Sequence, residues 1–154
     1  MSARILIADD HEVVRQGIRA ILQARPDWEI CGEAVNGREA ISLTKELNPD
    51  VVIMDITMPH MSGLEASQEI AKLQLPSRVL IFTMHESKSL APSVRKAGAQ
   101  GYVVKSRAAQ DLIDALDRLL KGGTFFDNPL PSAAKEGDKP NSDILLRQAL
   151  SFGW

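Results

Sequence analysis

The sequence predicts an α/β protein with five parallel strands in the order 2-1-3-4-5 and helices on both faces of the sheet. Five short apolar runs alternate with five segments whose apolar residues recur at helical spacing. Strands that alternate with amphipathic helices build a parallel sheet covered on both sides, and 2-1-3-4-5 is one common order of such a sheet. All five strands then point the same way, and their carboxyl ends share one edge.

The predicted strands are short, largely apolar runs that end on a polar residue or are followed directly by one. They lie at 5–8, 28–35, 51–55, 79–82 and 102–104. The third run is the clearest, because four consecutive apolar residues suit a strand that is buried on both faces. It ends on Asp55, and Pro59 follows soon after, so the chain leaves the strand there. This strand holds a carboxylate at its tip.

The first three predicted helices have recognisable ends. The first begins at Glu12 and is closed by Pro26. Asn36 and Ser62 open the second and third helices, and each is followed three residues later by a glutamate. This spacing is typical of a capping box, in which the two side chains satisfy each other's backbone N–H groups.

The last two helices differ in how clearly the sequence marks them. The fourth is predicted between about 87 and 97, with Gly98 as a left-handed residue at its end. Pro92 leaves a later start open, in which it would lie in the first turn. The fifth has the cleanest apolar stripe in the chain. The stripe consists of Leu112, Ile113, Leu116, Leu119 and Leu120.

Length and composition exclude several classes of protein. With 154 residues and 44% hydrophobic residues, the chain predicts one globular domain with an appendage. The formal net charge of -2 excludes the basic field of a typical nucleic-acid binder. No apolar run approaches membrane-spanning length, and nothing resembles a signal peptide, so we expect no membrane contact and a cytoplasmic location. Cys31 is the single cysteine, which excludes an internal disulfide.

We expect the domain to cover residues 1–124, followed by a linker at 125–142 that is rich in Pro, Ser, Ala, Asp, Lys and Gly. Residues 143–154 are expected to form a short tail helix. Its apolar stripe consists of Leu145, Leu146, Ala149 and Leu150. One hypothesis is that this stripe docks on the surface of the domain or on a second copy. The alternative is a frayed remnant of a further domain.

Polar residues that could bind a ligand or take part in a reaction lie at the ends of four predicted strands. Asp9 and Asp10 follow the first, Asp55 ends the third, Thr83 follows the fourth and Lys105 follows the fifth. Ligands bind where the strand order reverses, which lies between strands one and three. Two unit charges 4 Å apart repel by about 4 kcal/mol at an effective dielectric of about 20, so three converging acids require a cation. Oxygen ligands without His or Cys favour Mg²⁺.

Together these residues are the parts needed to transfer a phosphoryl group to an aspartate. Each has an ordinary interpretation when it is taken alone: Asp10 as a helix cap, Thr83 as a polar strand end and Lys105 as a solvated charge. Their shared position at the carboxyl ends of the strands favours the chemical interpretation.

A wider set of positions resembles the CheY-like receiver domain of two-component response regulators, over about residues 4–122. The set is Ala8-Asp9-Asp10, Met54-Asp55, Met58-Pro59, Ser62-Gly63, Thr83, Gly98-Ala99 and Tyr102 with Lys105. The resemblance implies a flavodoxin-like fold, Asp55 as the phosphoacceptor and Lys105 in contact with the phosphoryl group. It also implies Thr83 and Tyr102 as a switch pair, with Thr57, Met84 and His85 tuning the lifetime of the phosphoryl group. The implied Mg²⁺ ligands are Asp9, Asp10, Asp55 and the backbone carbonyl of Thr57.

One branch of the family is especially similar. Asp-Asp-His-Glu at 9–12 and Thr-Met-His-Glu at 83–86 resemble the NarL/LuxR-type transcriptional regulators. That branch normally continues into a helix-turn-helix domain. Only 23 residues follow Pro131, and none of them reproduces that motif, so DNA binding is not expected from this chain.

The sequence is therefore interpreted as a receiver that takes a phosphoryl group from a sensor histidine kinase onto Asp55 in a Mg²⁺-dependent reaction. The surface of helix four, strand five and helix five would carry the signal, and a second copy is a further candidate partner. Slow autodephosphorylation is expected, without enzymatic turnover. The alternatives are a fragment of a transcription regulator that lacks its DNA-binding domain, a metal-dependent phosphohydrolase, or an interaction module with a vestigial site. A phosphohydrolase usually needs a second general acid and a lid, and neither is visible.

Overall fold

The computed structural model describes residues 2–126 and confirms the predicted sheet. Five strands pair in parallel in the order β2-β1-β3-β4-β5. The strands are β1 (Ala3–Ala8), β2 (Trp28–Ala34), β3 (Val51–Asp55), β4 (Arg78–Thr83) and β5 (Gly101–Val104). The helices are α1 (Glu12–Leu22), α2 (Gly37–Leu47), α3 (Gly63–Lys72), α4 (Leu90–Lys96) and α5 (Ala108–Leu120), with a short 3₁₀ turn at Lys105–Arg107 before α5.

Helices cover both faces of the sheet, as a parallel sheet requires. On one face, α1 and α5 bury their apolar stripes, represented by Ile18 and Leu116. On the other face, α2, α3 and α4 pack through residues such as Ala40, Ile70 and Val94. Every residue of β3 is buried, so this strand is the rigid centre of the molecule. Within residues 2–126, none of the helices has the length and apolarity that crossing a bilayer requires.

The predicted helix caps are present, with one difference in detail. At α3, Ser62 and Glu65 form the reciprocal capping box. At α2, the Asn36 side chain accepts a hydrogen bond from the Glu39 N–H at 2.8 Å, but the Glu39 carboxylate accepts from the Val35 N–H instead of from Asn36. That bond satisfies the N–H of the residue that follows β2. The turn between β2 and α2 is therefore stabilised by two side-chain hydrogen bonds, one accepted by Asn36 and one by Glu39.

Helix α4 begins at Leu90, which is the later start that Pro92 had left open. Pro92 lies in its first turn, where the missing N–H would have no partner in the helix. Gly98 adopts the expected left-handed conformation, with φ of 84°. The proline therefore shortens α4 without breaking it.

The packed chain continues two residues past the expected domain boundary at 124. Phe125 and Phe126 are buried, and Phe125 forms a parallel bridge with Gly101. The Tyr102 N–H donates to the Phe125 carbonyl at 2.9 Å, and the Phe125 N–H donates to the Gln100 carbonyl at 3.0 Å. The rest of the expected linker and the expected tail helix at 143–154 lie outside the described residues.

Candidate functional site

The strand register brings the predicted site residues to one edge of the sheet. Asp9 follows β1 level with Asp55, because the residues before them pair across the two strands. Thr83 lies one residue beyond the β4 partner of Asp55, and Lys105 follows the β5 partner of Thr83. The four side chains therefore stand in neighbouring positions although 96 residues separate Asp9 from Lys105.

Lys105 bridges the two buried carboxylates. Its Nζ lies 3.0 Å from Asp9 Oδ2 and 3.3 Å from Asp55 Oδ1. The Asp9 and Asp55 side chains are 1% and 5% exposed, and that of Lys105 is 14% exposed. A buried ion pair of this kind requires close geometry, because desolvation opposes it. The lysine therefore neutralises part of the negative charge at the site.

The charge on Asp55 is only partly offset. Burial raises the pKa of Asp55, and the neighbouring Asp9 raises it further, while Lys105 and the backbone N–H of Thr57 lower it. The net direction is upward. Since the charged carboxylate is disfavoured here, an additional cation at this point would stabilise it.

A metal ion fits the acids around Asp55. One side-chain donor atom from each of Asp9, Asp10, His11 and Asp55 can be chosen so that all four lie within 4.8 Å of one another. Asp10 Oδ1 is buried and has no hydrogen-bond partner among the described residues. His11 Nδ1 lies 3.1 Å from that oxygen, close enough for an ion pair but out of line for a hydrogen bond. A buried carboxylate oxygen that accepts no hydrogen bond and lies beside two further acids suits a hard divalent ion such as Mg²⁺.

His11 was not among the predicted ligands. Its Nδ1 also lies 3.3 Å from Asp9 Oδ1, so the imidazole stands over both acids that follow β1. Its place directly after Asp10 was the available signal in the sequence. The side chain is 66% exposed, so it borders the site on the solvent side.

The predicted switch residues are both buried. Thr83 ends β4, and Tyr102 lies in β5 with its hydroxyl donating to Glu86 Oε2 at 3.2 Å. The tyrosine ring therefore already points inward in this structure. Glu86, which connects Tyr102 to the segment before α4, was not predicted as a functional residue.

The residues expected to tune the lifetime lie at the rim of the site. Thr57, Met84 and His85 are all exposed, and Met84 is 65% exposed. Thr57 follows Asp55 by two residues, and its carbonyl is part of the backbone that leaves β3. Met84 and His85 directly follow Thr83, so these exposed side chains adjoin the buried site residues along the chain.

Comparison with known proteins identifies the class to which this fold and site belong. Residues 5–117 match the family described as "Response regulator receiver domain", and the chain belongs to this family. Receiver domains of response regulators are signalling proteins rather than turnover enzymes.

Individual relatives are NarL/LuxR-type response regulators, as the sequence motifs indicated. The transcriptional regulatory protein LiaR of Bacillus subtilis (strain 168) is 39% identical over 119 residues, which cover 77% of this chain and 56% of LiaR. The nitrate/nitrite response regulator protein NarL of Escherichia coli (strain K12) is 34% identical over 128 residues, which cover 83% of this chain and 59% of NarL. The chain thus spans about half the length of the curated relatives it matches.

Solved structures agree with this relationship. A LuxR-family two-component response regulator from Aurantimonas sp. SI85-9A1 superimposes with a TM-score of 0.79 and 37% identity, covering 85% of this chain and 94% of that one. The signal receiver domain of the putative response regulator NarL from Mycobacterium tuberculosis gives a TM-score of 0.75 and 29% identity, covering 79% of this chain and 98% of that one.

Proposed function

We propose that this chain accepts a phosphoryl group from a sensor histidine kinase onto Asp55 in a Mg²⁺-dependent reaction. The observation that carries the proposal is the buried Asp55 carboxylate at the tip of β3, with Lys105 Nζ 3.3 Å from one of its oxygens. Asp9 shares the burial and the lysine partner, but it follows β1, whereas Asp55 is itself the last residue of the central strand β3.

An Asp55 oxygen would attack the phosphorus in line while the bond from phosphorus to the donor nitrogen breaks. The donor imidazole leaves with the electron pair of that bond and takes up a proton. Lys105 would balance the negative charge of the transferred oxygens. The carboxylates of Asp9, Asp10 and Asp55 and the carbonyl of Thr57 would hold Mg²⁺, which supplies further charge neutralisation when bound.

The phosphorylated aspartate is a dianion in a buried site, and Thr83 at the end of β4 offers it a hydroxyl donor. Tyr102 is inward and bonded to Glu86, so β5 is already connected to the segment that leads into α4. We propose the α4–β5–α5 surface as the output, because the Tyr102–Glu86 bond joins β5 to the segment before α4. Coupling of about 1–3 kcal/mol is typical of such switches.

The lifetime of the phosphoryl group would depend on water access past Thr57, Met84 and His85. Because these side chains are exposed at the rim, substitutions there change hydrolysis without disturbing the buried acids. Slow autodephosphorylation then resets the receiver.

The reaction is assigned to the cytoplasm, where a kinase draws on ATP. A second copy of the chain is a further proposed partner.

The curated relatives are named transcriptional regulators, and control of transcription is the proposed output. The proposal assigns no DNA contact to residues 2–126. Phosphotransfer profiling against sensor kinases would identify the cognate donor.

Incubation with acetyl phosphate and Mg²⁺, followed by intact-mass measurement, tests the assignment. One added phosphoryl group is expected for the wild type and for Asp114→Asn, whose carboxylate lies on α5 and is 50% exposed. No added group is expected for Asp55→Asn, or for the wild type with excess EDTA. Equal labelling of Asp55→Asn would contradict the assignment, and sustained release of inorganic phosphate would favour a phosphohydrolase.

A further inference from the structure

Both backbone polar groups of Asp9 have hydrogen-bond partners from other parts of the chain. The Asp9 N–H donates to the Ala34 carbonyl of β2 at 3.0 Å. The Asp9 carbonyl accepts a hydrogen bond from Arg15 Nη1 at 2.6 Å. Because a peptide group is planar, fixing this carbonyl fixes the N–H of the next residue and the direction in which the chain continues. The orientation of Asp10 therefore depends on a side chain of α1.

Arg15 ties three parts of the fold together. Its Nε donates to Glu33 Oε1 of β2 at 2.8 Å, and its Nη2 donates to Glu12 on the same helix. The side chain is only 11% exposed. The planar guanidinium offers several donors in fixed directions, so it can serve these partners at once. Its backbone N–H also donates to the His11 carbonyl at 3.1 Å, which starts α1.

We propose that Arg15 is a positioning residue for the acids of the metal site. It holds the Asp9–Asp10 peptide so that the Asp10 carboxylate stays within 4.8 Å of those of Asp9 and Asp55. The inference rests on the Mg²⁺ site of the proposed function. Partners of metal ligands that orient them typically contribute about 10- to 100-fold to metal affinity.

Electrostatics alone predicts the opposite sign. Arg15 carries a positive charge next to a site for a cation, and its removal would lessen repulsion of that cation. Loss of the positive charge would therefore tighten Mg²⁺ binding, whereas loss of the hydrogen bond to the Asp9 carbonyl would weaken it. The direction of the change separates positioning from charge.

Arg19 provides a matched control one turn further along α1. Its Nη1 donates to Glu33, and its Nη2 donates to Glu12 at 3.1 Å, so it shares both acid partners with Arg15. The contact with the Asp9 carbonyl is made by Arg15. Arg19→Gln thus removes a charge from the same network and leaves the Asp9–Asp10 peptide held.

The experiment is a Mg²⁺ titration of the ¹⁵N-labelled full chain, followed by backbone amide chemical shifts. Arg15→Gln is expected to bind Mg²⁺ about tenfold more weakly than the wild type. Arg15→Lys keeps the charge but has one compact ammonium in place of the fork, and it is also expected to bind more weakly. Arg19→Gln is expected to keep the wild-type affinity. The dispersion of each spectrum reports whether the variant is folded.

Wild-type or tighter Mg²⁺ binding by Arg15→Gln would overturn the inference. If that variant does not fold, Arg15→Lys decides alone, because wild-type affinity in a variant without the fork would overturn the inference equally. Asp10→Asn separates the two proposals. Loss of binding in Asp10→Asn with wild-type binding in Arg15→Gln refutes only the role of Arg15. Wild-type binding by Asp10→Asn refutes the Mg²⁺ site and the inference with it.

Discussion

Asp55 is held in a site that disfavours its own charge. Its nearest acid neighbours lie within 4.8 Å, and about 3 kcal/mol of repulsion is expected between two unit charges at that distance and an effective dielectric of about 20. Lys105 at 3.3 Å attracts the carboxylate and opposes this repulsion, but burial also disfavours the charged form, so the pKa of Asp55 remains raised. The residue combines a reactive position with a local loss of stability.

Without Mg²⁺, Asp55→Asn is expected to increase the free energy of unfolding at pH 7, because burial and the neighbouring acid together outweigh the attraction of Lys105 for the charged carboxylate. The raised pKa of Asp55 in the fold sets the sign. Below the pKa of an unfolded aspartate, Asp55 is protonated in both the folded and the unfolded state, and it does not lower the stability of the wild type. As the pH rises from there through the raised pKa of the folded state, the wild type loses stability. The difference between variant and wild type should therefore shrink from pH 7 toward pH 4.

Urea unfolding in EDTA at several pH values measures this difference. Asp114→Asn on α5 serves as the control, with an expected change within about 0.5 kcal/mol at every pH, because its carboxylate is half exposed. A destabilised Asp55→Asn at pH 7, or a difference that does not depend on pH, would show that Lys105 fully compensates the buried charge.

At the scale of elements, the site depends on how closely α3 approaches the end of β3. A Cβ on Gly63, the first residue of α3, would lie 1.9 Å from the Asp55 carbonyl oxygen. The Gly63 N–H also donates to the Ile56 carbonyl at 2.7 Å. Glycine is needed here because of this close approach of two backbones.

Gly63→Ala is expected to destabilise the fold by about 2 kcal/mol, as overpacking of a tight contact typically does. It should also slow phosphorylation by acetyl phosphate, because either α3 or the Asp55 backbone must move. Gly17→Ala on α1 is the control: a Cβ there meets nothing within 4 Å. Alanine in a helix interior is favoured over glycine by up to about 1 kcal/mol, so this variant should be slightly more stable. Equal stability and labelling of the two variants would contradict the argument.

At the scale of the whole molecule, the described part of the chain ends with two phenylalanines that pack against the domain. Arg118 of α5 lies over the Phe125 ring at 5.2 Å, and Arg95 of α4 lies over the Phe126 ring at 3.8 Å. Both rings are buried, and Phe125 also extends the pairing of β5. The last described residues therefore contact both helices of the proposed output surface.

A chain that ends after Phe126 is expected to fold and to accept the phosphoryl group at the wild-type rate, since every proposed site residue precedes it. A chain that ends after Thr124 should lose at least about 3 kcal/mol of stability, the usual effect of removing a buried phenylalanine. Thermal unfolding and intact-mass labelling of the two truncations test this. Equal stability of the two would refute the role of these rings, and loss of labelling in the longer chain would show that residues 127–154 contribute.

Most of the secondary structure could be predicted because its signals are local. Apolar runs and helical stripes placed all five strands and five helices, and the caps at Asn36 and Ser62 marked two helix starts correctly. The differences lie at the ends: β1 begins two residues earlier than its apolar run, and α4 has the later of the two starts that the sequence left open. Hydrogen bonding continues past an apolar run, and Pro92 is compatible with more than one starting residue.

The sequence by itself determined the family, the order of the strands and the meeting of Asp9, Asp55 and Lys105, because parallel strands deliver their carboxyl ends to one edge. Only the tertiary structure decided which atoms touch. The bond from Arg15 to the Asp9 carbonyl and the bond from Tyr102 to Glu86 join separate elements. Such contacts depend on the distance and orientation of packed helices and strands, and neither quantity is encoded in the spacing of residues along the chain.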